Sequence, residues 1–570
     1  MKNSDVDPAT VEVIRNYLTS AASEMQRTLI RTAYNTIVYE IKDFGLSLYD
    51  SDLNLVADSP GLTLFLGAND YSLKKGVEHI GEENFEDGDV VIMNYPYWSS
   101  GHTLDVCVIM PIFVADELRG YAVSRAHLLD IGQKDPGYVL DSTDVHQEGL
   151  LFPGTKLYKA GELDEEIRDL LRFNTRVPDK VIGDINAQIA ALRTGKERFV
   201  DLYEKYGADT VEASIDRILS YGEENAHNAV EELPDGTWNA VDYADGAIDD
   251  DDLLRIETTV TIDGDEMTVD FSGSSDQVEA PFNVPIGMTQ TVARLCLKTI
   301  TTPDEESNAG HYAPLNVEVP EDNLYNPSYP APTFAVWPAM LAVDVIYKAL
   351  AQGMPDRIPA SSGGDILSIT VFGENPKTGK QIVEATNQGV GWGATQDHDG
   401  GSALMHISET MVQNIPIEVL ENKAPVVIDR LELRQDSGGP GRNRGGLGIR
   451  RDFRFTHEIG ALSIIQKTET AGWGLEGGEA NSKNAVVLYP DTEQELSTGM
   501  MRKTFQPGES LSNRSAGGGG YGDPYERDPE RVLEDVIDEY VSRESAREDY
   551  GVVVTEDLEI DWEATESLRD

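Results

Sequence analysis

The stretch Gly101-His102-Thr103-Leu104-Asp105-Val106-Cys107-Val108-Ile109 has a loop at one end and a strand at the other, and the rest of the chain is read around it. Asn94-Tyr95-Pro96-Tyr97-Trp98-Ser99-Ser100-Gly101 is rich in turn formers and announces the loop. The apolar run from Val106 to Met110, closed by Pro111, reads as a strand. His102 and Asp105 lie three residues apart at this junction. Where the backbone turns, that spacing lets an imidazole and a carboxylate converge on one metal ion. His127 follows a second short strand at 121–126 and precedes turn chemistry at Asp130-Ile131-Gly132. Asp43 opens a third strand at 44–49. Three strand ends therefore offer Asp43, His102, Asp105 and His127. A histidine at a strand end is more often a hydrogen-bonded structural residue than a ligand. Two of them beside two carboxylates, in a chain with 9 histidines among 570 residues, bring the two readings level.

A chain of this length exceeds what one core can hold, so several structural units are expected. Hydrophobic content of 40% and charged content of 26% fit a globular protein. The net charge of −55 disfavours nucleic acid and anionic membrane surfaces as partners, because both need a basic face. Carboxylates are spread along the whole chain, and with lysine scarce this reads as adaptation to high salt, where counterions screen self-repulsion. Cys107 and Cys296 both sit in apolar segments and read as buried free thiols. The N-terminal residues lack the apolar core of a signal peptide, and the longest apolar stretch, 334–351, contains Asp344 and Lys348, so no membrane span is indicated. A cytoplasmic protein is expected.

The expected fold class is α+β in a mixed, multi-unit arrangement. An N-terminal α/β region with the metal-site candidates and a helical section spans 1–231, a β-rich region with buried helices spans 232–515, and a glycine-rich turn with acidic helices spans 516–570. Asp7-Pro8 starts a helix whose apolar residues Val11, Ile14, Leu18, Ala21, Met25 and Leu29 recur at helical spacing. Strands are expected at 54–57 and 89–93 with a helix at 69–79 between them, then helices at 162–173, up to Gly207, and 210–231. Beyond 232, Asp263-Gly264-Asp265 between two alternating runs is a hairpin signal. Helices are expected at 289–301 and 336–352, loops and edges at 314–338, and short strands to about 507.

The segments Asp43-Phe44, Asn94-Tyr95-Pro96-Tyr97, Gly101-His102-Thr103-Leu104-Asp105, Ser124-Arg125-Ala126-His127, Gln147-Glu148-Gly149, Arg434 to Gly441 and Gly517 to Pro524 carry a resemblance in their order and spacing. Together they resemble the hydantoinase B/oxoprolinase family, which includes the large subunit of acetone carboxylase. The resemblance implies one half of a two-component enzyme. A partner of the hydantoinase A type, an ATPase, takes up ATP and phosphorylates an amide or enolate oxygen, and the B-type chain completes the reaction on a small-molecule substrate at a divalent metal site. A hetero-oligomer is expected. Carried over, the family's metal ligands fall on His102, Asp105 and His127, with Asp43 as the fourth ligand or as the base for a metal-bound water. Imidazole with carboxylate suits zinc, manganese or iron equally. The implied activity is ATP-dependent hydrolysis of a cyclic amide such as a hydantoin or 5-oxoproline. The alternatives are carboxylation of a ketone and a non-catalytic scaffold for the ATPase. Leu128 follows His127 where many relatives carry a second histidine, and the stretch 95–100 is more aromatic than the family's common glycine-rich version.

Other candidates are weaker. The glycine- and arginine-rich run 438–446 offers backbone amides to a phosphate but lacks the GxxxxGK[ST] pattern, so a structural turn is the better reading. Gly517 to Gly520 reads as a tight turn. Asp397-His398-Asp399-Gly400 reads as a surface loop, and His146 either lines the site or packs. No GxSxG elbow appears, which leaves Ser-His-Asp catalysis without support.

Overall fold

A computed structural model describes residues 6–248, 252–409 and 411–569, so most of the acidic run 249–252 lies outside the described residues. The chain forms two compact units that alternate along the sequence. Unit 1 comprises Met1–Thr237, Val260–Ala339 and Ser408–Val412, and unit 2 comprises Trp238–Thr259, Met340–Ile407 and Gln413–Asp570. Helices and several sheets are mixed throughout, as expected for an α+β chain.

Unit 1 is built on a seven-stranded antiparallel sheet with strands β1 (Phe44–Asp50), β2 (Leu55–Asp58), β3 (Val90–Met93), β4 (Asp105–Val114), β5 (Glu117–His127), β6 (Pro153–Lys159) and β7 (Glu162–Leu163). Their order is β2-β1-β5-β4-β3-β6-β7. Helices α1 (Pro8–Thr32), α2 (Thr63–Ile80), the single turn α3 (Pro96–Ser99), α4 (Glu165–Phe173), α5 (Pro178–Tyr206) and α6 (Ala208–Glu231) surround it. Asp7 caps α1 by accepting from the Ala9 and Thr10 amides at 3.1 Å, and the apolar positions named from the sequence are its buried face. Central strands β4 and β5 are covered by α2 on one face and α5 on the other, which is why they are apolar without alternation. Tyr49, Leu73, Val91, Cys107, Ile109 and Val123 form the core on the α2 side.

The expected helix at 162–173 starts late: Glu162–Leu163 pairs with β6, and Asp164 then caps α4 by accepting from Glu166 N at 3.1 Å and Ile167 N at 3.2 Å. Helix α2 begins at Thr63, six residues before the expected start, because Leu62 to Leu66 carry no cap signal and are drawn in by packing on β1. The hairpin around Asp263-Gly264-Asp265 is present between Leu254–Asp263 and Glu266–Asp270. Within the proline-rich region, Leu315–Glu318 is an edge strand parallel to Glu266–Asp270.

Unit 2 contains two antiparallel sheets. One orders Gln381–Thr386, Ser368–Glu374, Ile459–Ile464 and Met501–Phe505. The other orders Val426–Leu433, Ile449–Phe455, Ser510–Arg514, Ala485–Leu488 and Leu496–Thr498. Its distinctive core is made of glycine. Gly517 to Gly520 is no tight turn: the segment is buried and threads between the segments around Gly391, Gly439 and Gly446. Gly518 N donates to Gly446 O at 2.9 Å, Gly439 N to Gly518 O at 2.8 Å, Gly446 N to Trp392 O at 2.9 Å and Gly520 N to Glu479 O at 2.9 Å. A Cβ on Gly445 would lie 1.8 Å from Gly518 O, and one on Gly520 1.9 Å from Pro440 O. Backbones pack here at a distance only glycine permits, the logic of the crowded axis of a collagen triple helix.

Asp397-His398-Asp399-Gly400 is a loop with Asp397 and His398 exposed, as expected, and Asp399 anchors it. Asp399 accepts from Arg527 Nη1 at 2.7 Å and Arg531 Nη2 at 2.7 Å, while Arg527 Nη2 also donates to Asp535 Oδ2 at 2.8 Å. The acidic tail is thereby anchored within unit 2. Its helices Pro529–Ile537 and Arg543–Glu548 pack Val532, Val536, Ala546 and Tyr550 together.

Candidate metal centre at one end of the unit 1 sheet

Strand register explains how residues far apart in sequence meet. Asp105, the first residue of β4, is directly opposite His127, the last of β5. Phe44 of β1 is opposite Ala126, and the His127 amide donates to Asp43 O at 3.3 Å. Asp43, His127 and Asp105 therefore form one row across three adjacent strands, and cross-strand neighbours project to the same face. Asp43 is brought to this row by a short π-helix, Ile37–Ile41, that ends in left-handed Lys42 (φ 67°) and turns the chain into β1.

His102 comes from the loop before β4. Asp105 N donates to His102 O at 3.0 Å, a tight turn that folds the imidazole back over the carboxylate. Gly101 is required by close approach, since a Cβ there would lie 2.7 Å from Asp105 Oδ2 and 2.8 Å from Arg125 Nη1. His102 Nε2 is 3.4 Å from Asp105 Oδ1, and His127 Nδ1 is 3.9 Å from the same oxygen. One ligating atom from each of His102, Asp105 and His127 lies within 4.8 Å of the others, the single such group among the described residues. The three are 4%, 0% and 2% exposed. Asp43 stands at the edge of this group, close enough for its charge to act on Asp105.

The surroundings leave these groups short of partners. Both Asp105 oxygens, His127 Nδ1 and Asp43 Oδ1 are buried without a hydrogen bond. Burial, with the neighbouring imidazole and Arg125, holds His102 well below its ordinary value, and burial alone brings His127 down to about 3. Burial and the charge of Asp43 push Asp105 well up, and burial raises Asp43 to about 7. His102 Nε2 and His127 Nδ1 turned toward unpaired carboxylate oxygens are a set of atoms that could hold a divalent cation, and a cation would remove the like-charge conflict.

The supporting contacts suit that role. Tyr138 Oη lies 3.0 Å from His127 Nε2, which fixes the ring and leaves Nδ1 turned to the cluster. Asn35 Nδ2 donates to His127 O at 3.1 Å. Arg125, two residues before His127 on the same face, donates to Asn69 Oδ1, to Ser72 Oγ and to the carbonyls of Ser99 and Asp105, a buried cation beneath the carboxylate. Phe334 packs 5.4 Å from His102 and 5.5 Å from Tyr138, and Trp337 packs 5.4 Å from Tyr138.

Glu409 was not signalled by the sequence. It is buried, and its acidity is suppressed by burial and by the charges of Asp43 and Asp105, so a further carboxyl group faces the cluster from a segment 282 residues beyond His127. Arg125 could have been found from strand period, because alternation places it on the face of His127. Of the weaker candidates, His146 is exposed and pairs with Tyr329 Oη at 2.7 Å, outside the cluster. In the 438–446 run, the amides of Gly439, Arg442, Asn443, Gly445 and Gly446 are spent on neighbouring carbonyls. A cavity of about 260 Å³ lined by Asp58, Asp70, Lys74, Arg294 and Lys298 includes none of the four candidate residues.

Fold and cluster together define a class, a mixed α+β protein with a buried His/Asp group at the end of an antiparallel sheet. The sequence profile of the hydantoinase B/oxoprolinase family matches residues 7–524, and the chain belongs to that family. It is 35% identical to the B component of a putative D-/L-hydantoinase from Pseudomonas sp. (strain NS671), over 99% of this chain and 98% of that protein. It is 31% identical to the beta subunit of caprolactamase from Pseudomonas jessenii, over 99% of each. The crystal structure of ATP-dependent caprolactamase from Pseudomonas jessenii superposes with a TM-score of 0.92 at 29% identity, covering 99% of this chain and all of that one. Nucleotide-free acetone carboxylase shares the fold, with a TM-score of 0.91 at 20% identity over 99% of this chain and 83% of that one. No helix among the described residues is long and apolar enough to cross a membrane.

Proposed function

We propose that this chain is the B-type component of an ATP-dependent cyclic-amide hydrolase, with a divalent cation held by His102, Asp105 and His127 and with Asp43 beside it. The observation that carries the reading is the set of buried ligand atoms without partners at the crossing of β1, β5 and β4. Burying polar groups unpaired costs about 1–3 kcal/mol each, more when charged, so several of them meeting at one point are stabilised together by a single bound cation. The near full-length likeness to hydantoinase and caprolactamase chains supports hydrolysis ahead of carboxylation, since the acetone carboxylase likeness rests on fold alone. Those relatives are named as components of larger enzymes, which supports a separate A-type ATPase chain as partner and a hetero-oligomer.

An amide is a poor electrophile, and transfer of a phosphoryl group from ATP to its carbonyl oxygen makes the carbon attackable by water. When bound, a divalent cation supplies Lewis acidity and lowers the pKa of water toward neutrality. The chain's own residues do the rest. His102, His127 and Asp105 set the position, Tyr138 and Arg125 hold two of them in place, and Asp43 takes the proton released by the attacking water. Water adds to the carbon, the ring C–N bond breaks with its electron pair left on nitrogen, and nitrogen takes up a proton. A second water then releases phosphate from the acyl group.

Metal analysis of the purified chain beside His102→Ala tests the reading. One equivalent of a transition metal in the parent, none in the variant, and cyclic-amide hydrolysis on adding ATP and the A-type chain are expected. A metal-free parent, even when purified with its partner, would leave the histidines structural and put the scaffold reading first.

A further inference from the structure

The segment Gln147-Glu148-Gly149 has no role in the chemistry above, yet Glu148 is a fully buried acid. Its backbone is fastened to the metal-site loop. Thr103 Oγ1 donates to Glu148 O at 2.5 Å, and Asn94 Nδ2 donates to both Thr103 O at 2.7 Å and Leu150 O at 2.9 Å. Its carboxylate reaches the other way. Oε1 accepts from Ser142 Oγ at 2.7 Å, Thr333 N at 3.0 Å and Phe334 N at 3.0 Å, and Oε2 accepts from Thr333 N at 3.1 Å. One residue thus joins the loop carrying His102 and Asp105 to the segment whose aromatic ring covers His102.

That segment is the wall of the site. Phe334 is fully buried and its ring stands against both His102 and Tyr138. It is pinned along its backbone: Tyr97 Oη donates to Ala331 O at 2.5 Å, Asn283 Nδ2 to Pro332 O at 2.8 Å, and Ala335 N to Pro281 O at 2.6 Å. Glu148 is the one acidic group among these ties: burial raises its carboxyl to about 8, while the hydrogen bonds from Ser142, Thr333 and Phe334 oppose that rise. Because the tie is made to main-chain N–H groups, it holds whatever side chain stands at 334.

We propose that Glu148 is a positioning residue: it latches the Phe334 segment over the histidine pair, so that a small molecule reaches the cluster only when this tie opens. The inference rests on the proposed function for what enters the site, but its geometry is independent of any metal. The aromatic wall of Tyr138, Phe334 and Trp337 would take a compact ring with an apolar face and a single polar edge, the shape of a cyclic amide.

Two variants separate latch from plug. Glu148→Gln loosens the tie and keeps the ring, whereas Phe334→Ala removes the ring and keeps the tie. The full-length parent and both variants are loaded with Co²⁺ and followed by hydrogen exchange of the 331–335 peptide and by the rate at which EDTA strips the ion. Glu148→Gln should speed exchange at Thr333 and Phe334 and speed stripping, each at least about tenfold, with one equivalent still bound at saturation. Phe334→Ala should speed stripping while the backbone amides at positions 333 and 334 stay protected. Parental exchange and parental stripping in Glu148→Gln would overturn the proposal. A parent that takes up no Co²⁺ would defeat the proposed function, and exchange alone would then decide the role of Glu148. Should Glu148→Gln not fold, the parent decides: Thr333 and Phe334 amides that exchange within seconds would exclude a latch, and protection to the level of β4 would support it.

Discussion

The sheet end of unit 1 and the glycine core of unit 2 are both buried and both made of short, recognisable segments, but they treat polar groups in opposite ways. In the glycine core, amides of Gly391, Gly439, Gly446, Gly518 and Gly520 each find a carbonyl at 2.8–2.9 Å. At the sheet end, four ligand atoms of Asp43, Asp105 and His127 find nothing. Unusual glycine density alone therefore says little about chemistry. Glycine segments whose amides are mutually satisfied are architecture, whereas the sheet end gathers two imidazoles and a carboxylate within 4.8 Å of one another with several of their buried atoms unpartnered.

The comparison breaks most visibly through stability. Gly445→Ala would drive a methyl group to 1.8 Å from Gly518 O, against backbone that cannot move aside. A loss above about 4 kcal/mol or failure to fold is expected, read by urea unfolding followed by circular dichroism. Retention of parental stability would mean that the glycine segments are not interlocked. Asp105→Asn should do the reverse. The metal-free variant should match or exceed the parent in melting temperature, because a neutral amide replaces a buried carboxylate. In the parent, metal at a hundred times its Kd should add about 2.7 kcal/mol, reversed by EDTA, and in Asp105→Asn it should add nothing. Equal stabilisation of both chains by metal would remove Asp105 from the ligand set.

A smaller effect sharpens the boundary between a site and its frame. Asp184 on α5 accepts from Tyr34 N at 2.7 Å and Asn35 N at 3.1 Å, while its second oxygen is buried without a partner. Burial raises it to about 6 despite those two amides. The folded chain holds this proton more tightly than the unfolded chain, so the stability it contributes is full below the ordinary carboxylate range and is lost as pH rises to about 6. Relative to the parent, Asp184→Asn should gain up to about 3 kcal/mol between pH 4 and pH 7, at about 1.4 kcal/mol per unit. A parallel pH profile for the two chains would show that Asp184 is solvated. Metal uptake should not change, since the carbonyl oxygen of the substituted amide can still accept from Tyr34 N and Asn35 N.

Much of the candidate cluster was legible because strand ends carry a local signature. Asp43, His102, Asp105 and His127 could be named from turn formers abutting apolar runs. The helices with regular apolar spacing, α1 with its Asp7 cap and α5 and α6 without a side-chain cap, were equally plain. The glycine segments were misjudged as turns, because glycine serves tight turns and close backbone packing alike and the sequence does not distinguish them. Strands at Pro153–Lys159 and Ser510–Arg514 escaped notice, since neither is apolar enough to stand out and each is held by its neighbours.

By itself, the sequence determined the residue types that chemistry needs, the strand ends that carry them and the family to which the chain belongs. Those properties live within a few residues of the backbone. Only the tertiary structure decided that Asp105 stands opposite His127, that Arg125 lies beneath them, that Glu409 faces them from far along the chain, and that Glu148 ties Phe334 over His102. Register and long-range hydrogen bonds are set by how whole elements pack against one another, and no short window of sequence contains both partners.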